Sequence, residues 1–536
     1  MAIVNQFDKR SGKTYVYESV SYWDKEKQQP RARRKLIGKR DPQTGEIVPT
    51  DGRGKRRLEK LDVDQVAKPG PVPITIMNRR FYGGTYLLDE IGKTLGLTED
   101  LKRCFPSTHK QILSIAYYLI LESDSPLFRF EKWSTLHKHP YDKDIPSQRS
   151  SELFAGISEE QRSQFMKLQE RRRSDDEYWA YDTTSLSSYS QTLRQVQYGQ
   201  NKEDDKLPQI NLALVFGEQS GLPFYYRKLA GNIPDVSTVK NLLADFRALG
   251  FDKVKLVMDR GFYSQTNING LFKERLKFIV AVQTGVSWVR EAIDTVYDTH
   301  RSFENLDEQH ELYAQTVLTT WNYRQERPYK KDVIAETRRV YLHVFFNPEK
   351  YVEDETSFDR KLISMRREIL SDKRVPEHER FYEKYFEVKD TPVRGVQVVV
   401  KDEIVRKTKR YYGYFALLSN EKMDAMTALQ FYRNKDIVEK AFGNLKDRLN
   451  LRRLLVSSEK SLDGKLFVGF IALIYLAYIK KRMHEAGMFR DYTMQTLLDQ
   501  LDVIECFENP GNDLRVGEIL SKQRLIYDAL GINSPA

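Results

Sequence analysis

The chain has 536 residues, a net charge of +11 and a pI of about 9.1, with 40% hydrophobic and 30% charged residues. This is a globular balance, enough for roughly three to four domains, and its basic excess points to a polyanionic partner. Only two cysteines, Cys104 and Cys506, occur, which excludes a disulfide framework or a zinc finger and suits a reducing cytoplasm.

Residues 1–60 hold 16 Lys or Arg against 8 Asp or Glu, a surplus of 8. The densest runs are Arg31, Arg33, Arg34, Lys35, Lys39 and Arg40, then Arg53, Lys55, Arg56 and Arg57, a footprint of phosphate binding. The start, MAIVNQFDKRSGK, lacks the apolar run of a signal peptide. Residues 1–70 are predicted to be a small basic β-rich region, with a strand at Thr14–Tyr22 and a turn at Asp41–Gly45. Pro69, Pro71 and Pro73 mark a linker. Residues 75–172 are predicted to be a helical DNA-binding domain: Leu87, Leu88, Ile91 and Leu95 have helical spacing, as do Ile112, Ile115, Ala116 and Leu119. Ser158 and Gln161 fit a capping box. His137 and His139 read as loop residues rather than metal ligands.

From Glu177 the pattern becomes α/β. Strands are predicted at Tyr178–Ser185, Gln209–Phe216 and Pro223–Leu229, a helix at Val236–Leu249, a strand at Val254–Met258, a helix at Gln265–Glu274 and a strand at Phe278–Val282. Three strands, helix, strand, helix, strand is the order of a ribonuclease-H-like core, assigned here to residues 173–285. Residues 286–408 mix strand-like runs (Val340–Phe346, Val396–Val400) with a charged helical stretch (Asp359–Leu370) and read as an inserted, β-containing subdomain. The core resumes over 409–485 with a strand at Tyr411–Leu418, a long helix at Met423–Leu449 and an apolar helix at Leu466–Ile479. That last stretch reads as a buried helix too short to span a bilayer. Residues 486–536 read as a C-terminal helical region.

Asp182 lies in the first core strand and Asp259 just past the fourth, where an open α/β sheet places its site. Gly261 would let the chain turn sharply after Asp259. On the long helix, Tyr432, Lys435, Glu439 and Lys446 fall at about 0°, 300°, 340° and 320°. They form one stripe bordering the apolar face of Phe431, Val438, Phe442, Leu445 and Leu449. Alone, Lys435 and Glu439 could be an ordinary i, i+4 ion pair worth ~0.3–0.5 kcal/mol. The whole stripe, with two strand-end aspartates before it, points to a site.

Those residues resemble the DDE transposases of bacterial insertion sequences, in the subgroup whose third motif is Tyr, two residues, Arg, three residues, Glu, six residues, Lys. Tyr432, Lys435, Glu439 and Lys446 keep that spacing, with Lys435 in place of the usual Arg. The resemblance extends through Tyr178–Ser190, Leu229–Asp235, Val257–Ser264 and Tyr411–Ile479. Asp259 and Glu439 are 180 positions apart, which matches a subgroup with a β-rich domain inserted there.

The resemblance implies a metal-dependent enzyme that cuts DNA at transposon ends and joins the freed 3′-hydroxyl to target DNA. Asp182, Asp259 and Glu439 would be catalytic and would hold two Mg²⁺ ions, with Mn²⁺ able to substitute; Asp182 would bridge them. Two metals neutralise the attacking and leaving oxygens of an in-line displacement. Lys435 and Lys446 would grip phosphates, Tyr432 would stack on a base or bond a phosphate, and Arg260 would contact DNA or form a salt bridge. Arg33, Arg34 and Lys35 would bind DNA. Gly231, Asn232 and Asp235 resemble a family loop near the site. The expected partners are double-stranded DNA, as terminal inverted repeats and target, and a second copy of the chain, in a nucleoid-associated cytoplasmic setting with no membrane role. A nuclease that cuts without joining and a non-enzymatic DNA-binding descendant remain the alternatives.

Overall fold

Val, Tyr and Thr favour extended chain because their branched or flat side chains fit a pleated surface, and such residues open the protein. The computed structural model describes residues 2–24, 29–49, 78–170, 176–202, 205–251, 253–327, 332–391, 395–456, 458–508 and 513–536. Strands β1 (Ala2–Asp8), β2 (Lys13–Asp24), β3 (Gln29–Arg40) and β4 (Ile47–Pro49) form an antiparallel sheet in sequence order. The predicted turn joins β3 to β4: the Asp41 carboxylate accepts from the amides of Gln43 and Thr44, and Gly45 takes φ +71°. This sheet belongs to one compact unit, drawn from residues 1–77 and 509–513, and residues 78–508 and 514–536 build a second. Arg53, Lys55, Arg56, Arg57 and the three linker prolines lie outside the described residues.

The second unit opens with β5 (Asn78–Phe81) and six helices, Gly83–Thr94, Leu97–Cys104, His109–Leu121, Phe130–Leu136, Ser147–Gly156 and Glu159–Gln169. Leu87, Leu88, Ile91, Ile112, Ile115, Ala116 and Leu119 are buried, as their spacing predicts. Ser158 and Gln161 form the capping box, each side chain bonding the other's amide at 3.2 Å.

Next come β6 (Tyr178–Ser187), β7 (Gln209–Gly217), β8 (Pro223–Ala230), β9 (Lys255–Met258), β10 (Lys277–Val282), β11 (Leu306–Asp307), β12 (Leu312–Arg327), β13 (Asp332–Phe346), β14 (Phe386–Thr391), β15 (Gly395–Val400) and β16 (Tyr414–Ser419). All but β14 and β15 share one nine-stranded sheet, ordered β11-β12-β13-β16-β10-β9-β6-β7-β8. β6, β7 and β8 are an antiparallel meander, and β9 and β10 run parallel to β6. Helices Asp235–Leu249 and Gln265–Lys273 make the crossovers. This is the mixed α/β order expected from the sequence.

The strand period of two divides the core. Val257, Ile279, Leu417 and Phe345 face one side, against Ala425, Ala428 and Leu429 of the helix Ala425–Asn434. Leu256, Met258, Phe278, Val280 and Leu418 join the larger cluster on the other side.

Only part of the span 286–408 stands apart from this sheet. β12 and β13 prolong it, with Tyr341 to Phe346 of β13 paired against Ser419 to Tyr414 of β16. The remainder, helix Pro348–Leu370, helix Glu379–Tyr385, the β14–β15 hairpin and helix Asp402–Lys409, holds its own apolar cluster around Phe358, Leu362, Tyr382 and Phe386.

The apolar helix runs over Glu459–Glu485, 27 residues, so it is long and apolar enough to cross a membrane rather than too short. Its apolar window is 83% buried in the protein, where Phe467 packs on Phe105 and Tyr475 meets Tyr117 edge-on. Gly464 lies so close to the Phe154 carbonyl that a Cβ would overlap it. The last helices, Met494–Asp502 and Ser521–Ala529, return to the first ones: β17 (Glu505–Glu508) pairs with β5 and β18 (Arg515–Val516). Tyr527 donates to the Gly83 carbonyl at 2.8 Å.

Candidate active site

Strand alternation places Asp182 on the same sheet face as Tyr178, whose ring meets Phe431 with centroids 4.6 Å apart. The helix bearing Phe431 therefore covers the face from which Asp182 points. On the neighbouring parallel strand Tyr181 aligns with Met258, so Asp182 and Asp259 occupy the next matched positions, side by side. Asp259 follows the last residue of β9 and caps the short 3₁₀ turn Arg260–Phe262. Gly261 has no positive φ, and a Cβ there would make only ordinary contact with Asp235. A 3₁₀ turn, not the freedom of glycine, bends the chain.

The helix supplies the third carboxylate and a cation. Ala425–Asn434 and Asp436–Gly443 meet at Lys435, where i→i+3 backbone bonds replace the α-helical ladder. The Lys435 side chain is 5% exposed and its Nζ donates to Glu439 Oε1 at 3.1 Å. Burial pulls its pKa down, but the charges of Asp182 and Asp259 and the bond to Glu439 raise it above the ordinary lysine value. The ammonium thus bonds Glu439 and feels the charges of the other two predicted carboxylates. Tyr432 donates to Asp259 Oδ1 at 2.7 Å. Burial raises the Asp259 pKa, yet the Tyr432 hydroxyl, the Arg260 amide and Lys435 together hold it below the usual aspartate range. Asp182 goes the other way: burial lifts its pKa against the opposing pull of Lys202, the Thr183 amide and Lys435.

Glu439 is 60% exposed, and Arg260 is exposed beside Asp259. Lys446 lies half-buried in the π-helical turn Asn444–Arg448, off the α-helical register that a straight wheel assumes. Arg33, Arg34 and Lys35 are exposed on β3 of the other compact unit. His137 and His139 are buried and bonded to Trp133 and Asp502, and to Ser114, respectively.

Lys202 is a site residue that sequence spacing does not reveal. Its Nζ reaches the Thr183 carbonyl at 2.7 Å, the Thr183 hydroxyl at 3.0 Å and Asp235 Oδ2 at 3.1 Å. The Thr183 hydroxyl in turn donates to Asp235 Oδ1. Asp235, noted in the sequence only through a loop resemblance, is the anchor of this cluster. The pattern that could have flagged Lys202 is absent, because it sits in an irregular loop.

An open cavity of about 1080 Å³ runs from Asp259, Arg260 and Tyr432 to Lys350 and Lys361 of the helix Pro348–Leu370. Its walls mix cations, hydroxyls and aromatic rings with the carboxylates of Asp259 and Asp354, the latter paired with Lys350 at 3.5 Å. Among the described residues, no three His, Cys, Asp or Glu side chains converge closely enough to form a metal cage. The donor set is nonetheless all carboxylate oxygen, the hard type that Mg²⁺ prefers. The Lys435 ammonium, buried and bonded to Glu439 with its pKa raised by the charges of Asp182 and Asp259, shows that these carboxylates stabilise positive charge.

The family profile described as Transposase DDE domain matches residues 163–475, more than half of the chain and every residue of this site. The chain belongs to this transposase family. The transposase is therefore a DDE-type enzyme acting on DNA, and its meander with two parallel strands is the ribonuclease-H-like core that the family implies. Among solved structures, it is similar to the piggyBac transposase in a synaptic complex with hairpin DNA, at 10% identity and a TM-score of 0.35. That match covers 78% of this chain and 76% of the other. No curated protein matches the transposase.

Proposed function

We propose that the protein cleaves DNA at the ends of an insertion sequence and joins the freed 3′ ends to target DNA. The observation that carries this reading is that Asp182 and Asp259 directly follow Tyr181 and Met258, the last matched pair of the parallel strands β6 and β9, with Lys435 bonded to Glu439 and its pKa raised by the charges of both aspartates. Asp182, Asp259 and Glu439 would hold two Mg²⁺ ions, which supply charge neutralisation at the attacking and leaving oxygens. A water oxygen forms a bond to the scissile phosphorus as the bond to the 3′-oxygen breaks, and the leaving oxygen takes a proton. The new 3′-hydroxyl then displaces a 3′-oxygen of the target strand, so one phosphodiester replaces another. Tyr432 keeps Asp259 oriented and ionised, and Arg260, Lys350 and Lys361 line the path for the phosphate backbone. The helix spacing supports the Tyr-Arg-Glu-Lys subgroup, with Lys435 serving where Arg is usual. Arg33, Arg34 and Lys35 would hold DNA, and two copies of the chain would hold the two ends.

The test combines purified protein, duplexes carrying the inverted repeats that flank its gene, and a plasmid target. Mg²⁺-dependent joining of donor 3′ ends to the plasmid is expected. Nicking without joined product would reduce the protein to a nuclease, and no Mg²⁺-dependent nicking would make it a binding protein only.

A further inference from the structure

In the first unit, β1 stops pairing with β2 at Ser19, and β4 pairs only with Gly38–Arg40 of β3. Beyond those limits Val20–Asp24 and Gln29–Arg33 pair with each other alone. They form a two-stranded arm, about 16 Å long at ~3.3 Å per residue. Both of its faces are exposed: Tyr22 is 49% and Trp23 61% accessible.

Cross-strand partners share a face. Val20 with Arg33, Tyr22 with Arg31 and Asp24 with Gln29 lie on one face, and Ser21 with Ala32 and Trp23 with Pro30 on the other. Asp24 steadies Arg31 at 3.4 Å. The first face thus gathers the groups that address base edges, since Arg forks onto guanine O6 and N7 and Gln onto adenine N6 and N7. The second offers small side chains and one indole. Arg34 and Lys35 follow at the root of the arm, where β1 rejoins.

We propose that this arm enters the major groove of the transposon-end DNA with its Arg31–Arg33 face against the bases, while Arg34 and Lys35 hold the backbone. The groove, ~12 Å wide and ~8.5 Å deep, admits a two-stranded ribbon, and the basic surplus of residues 1–60 complements it. The proposal rests on the DNA-end reading above. Its test measures binding alone, so failure of the wild-type protein to nick or join DNA counts against that reading, whereas loss of the expected base preference counts against the arm.

The full chain, as wild type, Arg31→Lys, Arg33→Lys and Lys35→Ala, is used to select from a random-sequence duplex library at two salt concentrations. Wild type is expected to enrich a guanine-containing motif whose binding is blocked by N7 methylation. Arg33→Lys keeps the charge but loses the fork, so discrimination at one guanine should fall ~5- to 100-fold with an unchanged salt slope. Lys35→Ala should weaken binding to all sequences alike and reduce the salt slope by about 1. Unchanged base preference in both arginine variants overturns the proposal, as does an even loss of affinity across all sequences in Arg33→Lys. A wild-type selection with no motif overturns it as well.

Discussion

Replacing Lys202 by Met removes an ammonium that donates to the Thr183 carbonyl and hydroxyl and pairs with the Asp235 carboxylate. Held by these protein partners, the side chain acts by positioning the Asp182–Thr183 segment and by placing a positive charge near Asp182. Losing one charged hydrogen bond costs ~1.5–3 kcal/mol. Lys202 is about one-third exposed, at 36%, so solvent replaces part of that loss and a net ~1.5–2.5 kcal/mol remains. This equals a roughly ten- to seventyfold slower single-turnover cleavage. DNA affinity and its salt dependence should stay near wild type, and Lys202→Arg should restore much of the rate. The assay is cleavage of pre-bound end DNA under single-turnover conditions, with the dissociation constant measured separately. A weakened dissociation constant with a salt slope lower by about one would show that Lys202 grips DNA. An unchanged rate would show that the cluster only anchors its loop.

Asp182→Ala, Asp259→Ala and Glu439→Ala should each abolish cleavage while keeping end binding within about threefold; cleavage surviving at wild-type Mg²⁺ removes that residue from the trio. Asp89 should govern part of the pH dependence of stability. Burial raises its pKa to about 6 against the Tyr117 hydroxyl that bonds it. A raised folded-state value contributes stability that is complete below about pH 4 and is lost as pH rises through about 6. Asp89→Asn should therefore stabilise the protein at pH 7.5 by on the order of 1–2 kcal/mol, with the gain vanishing near pH 4, as denaturant melts at both values will show. Gly464→Ala drives a methyl into the Phe154 carbonyl; Tm should fall by an amount reflecting about 1–3 kcal/mol, and an unshifted melt would mean the two helices separate freely.

Periodicity carried the reading furthest where elements are regular. The alternation of β6 and β9 and the helical spacing of Tyr432, Lys435 and Glu439 identified a set of side chains that meet around one buried ammonium. The helical wheel is interrupted at two places. It assumes 100° per residue throughout, whereas i→i+3 bonds tighten the chain at Lys435 and a π turn loosens it before Lys446. The resemblance implied that Lys435 grips a phosphate; in the structure its side chain is buried and paired with Glu439. Lys202 was illegible because its partners are distant in sequence or joined through backbone, and an irregular loop has no period. The union of β12 and β13 with the core sheet was hidden for a related reason, since edge pairing depends on register across some seventy residues.

β16 has neighbours on both sides, β10 at one edge and β13 at the other, and this limits how the protein can be shortened. Deleting everything between Val282 and Tyr414 would strip one edge of Tyr414–Ser419 and leave a row of open amides and carbonyls beside apolar side chains. An edge of that kind templates sheet-to-sheet association, so such a miniature would be lost to aggregates before its chemistry could be assayed. Trimming confined to the segment from Pro348 to Lys409, which packs on a cluster of its own, leaves β13 in place. A shorter version would have to be carved from that side, keeping the turns of Pro348–Leu370 that carry Lys350 and Lys361 in the cavity wall.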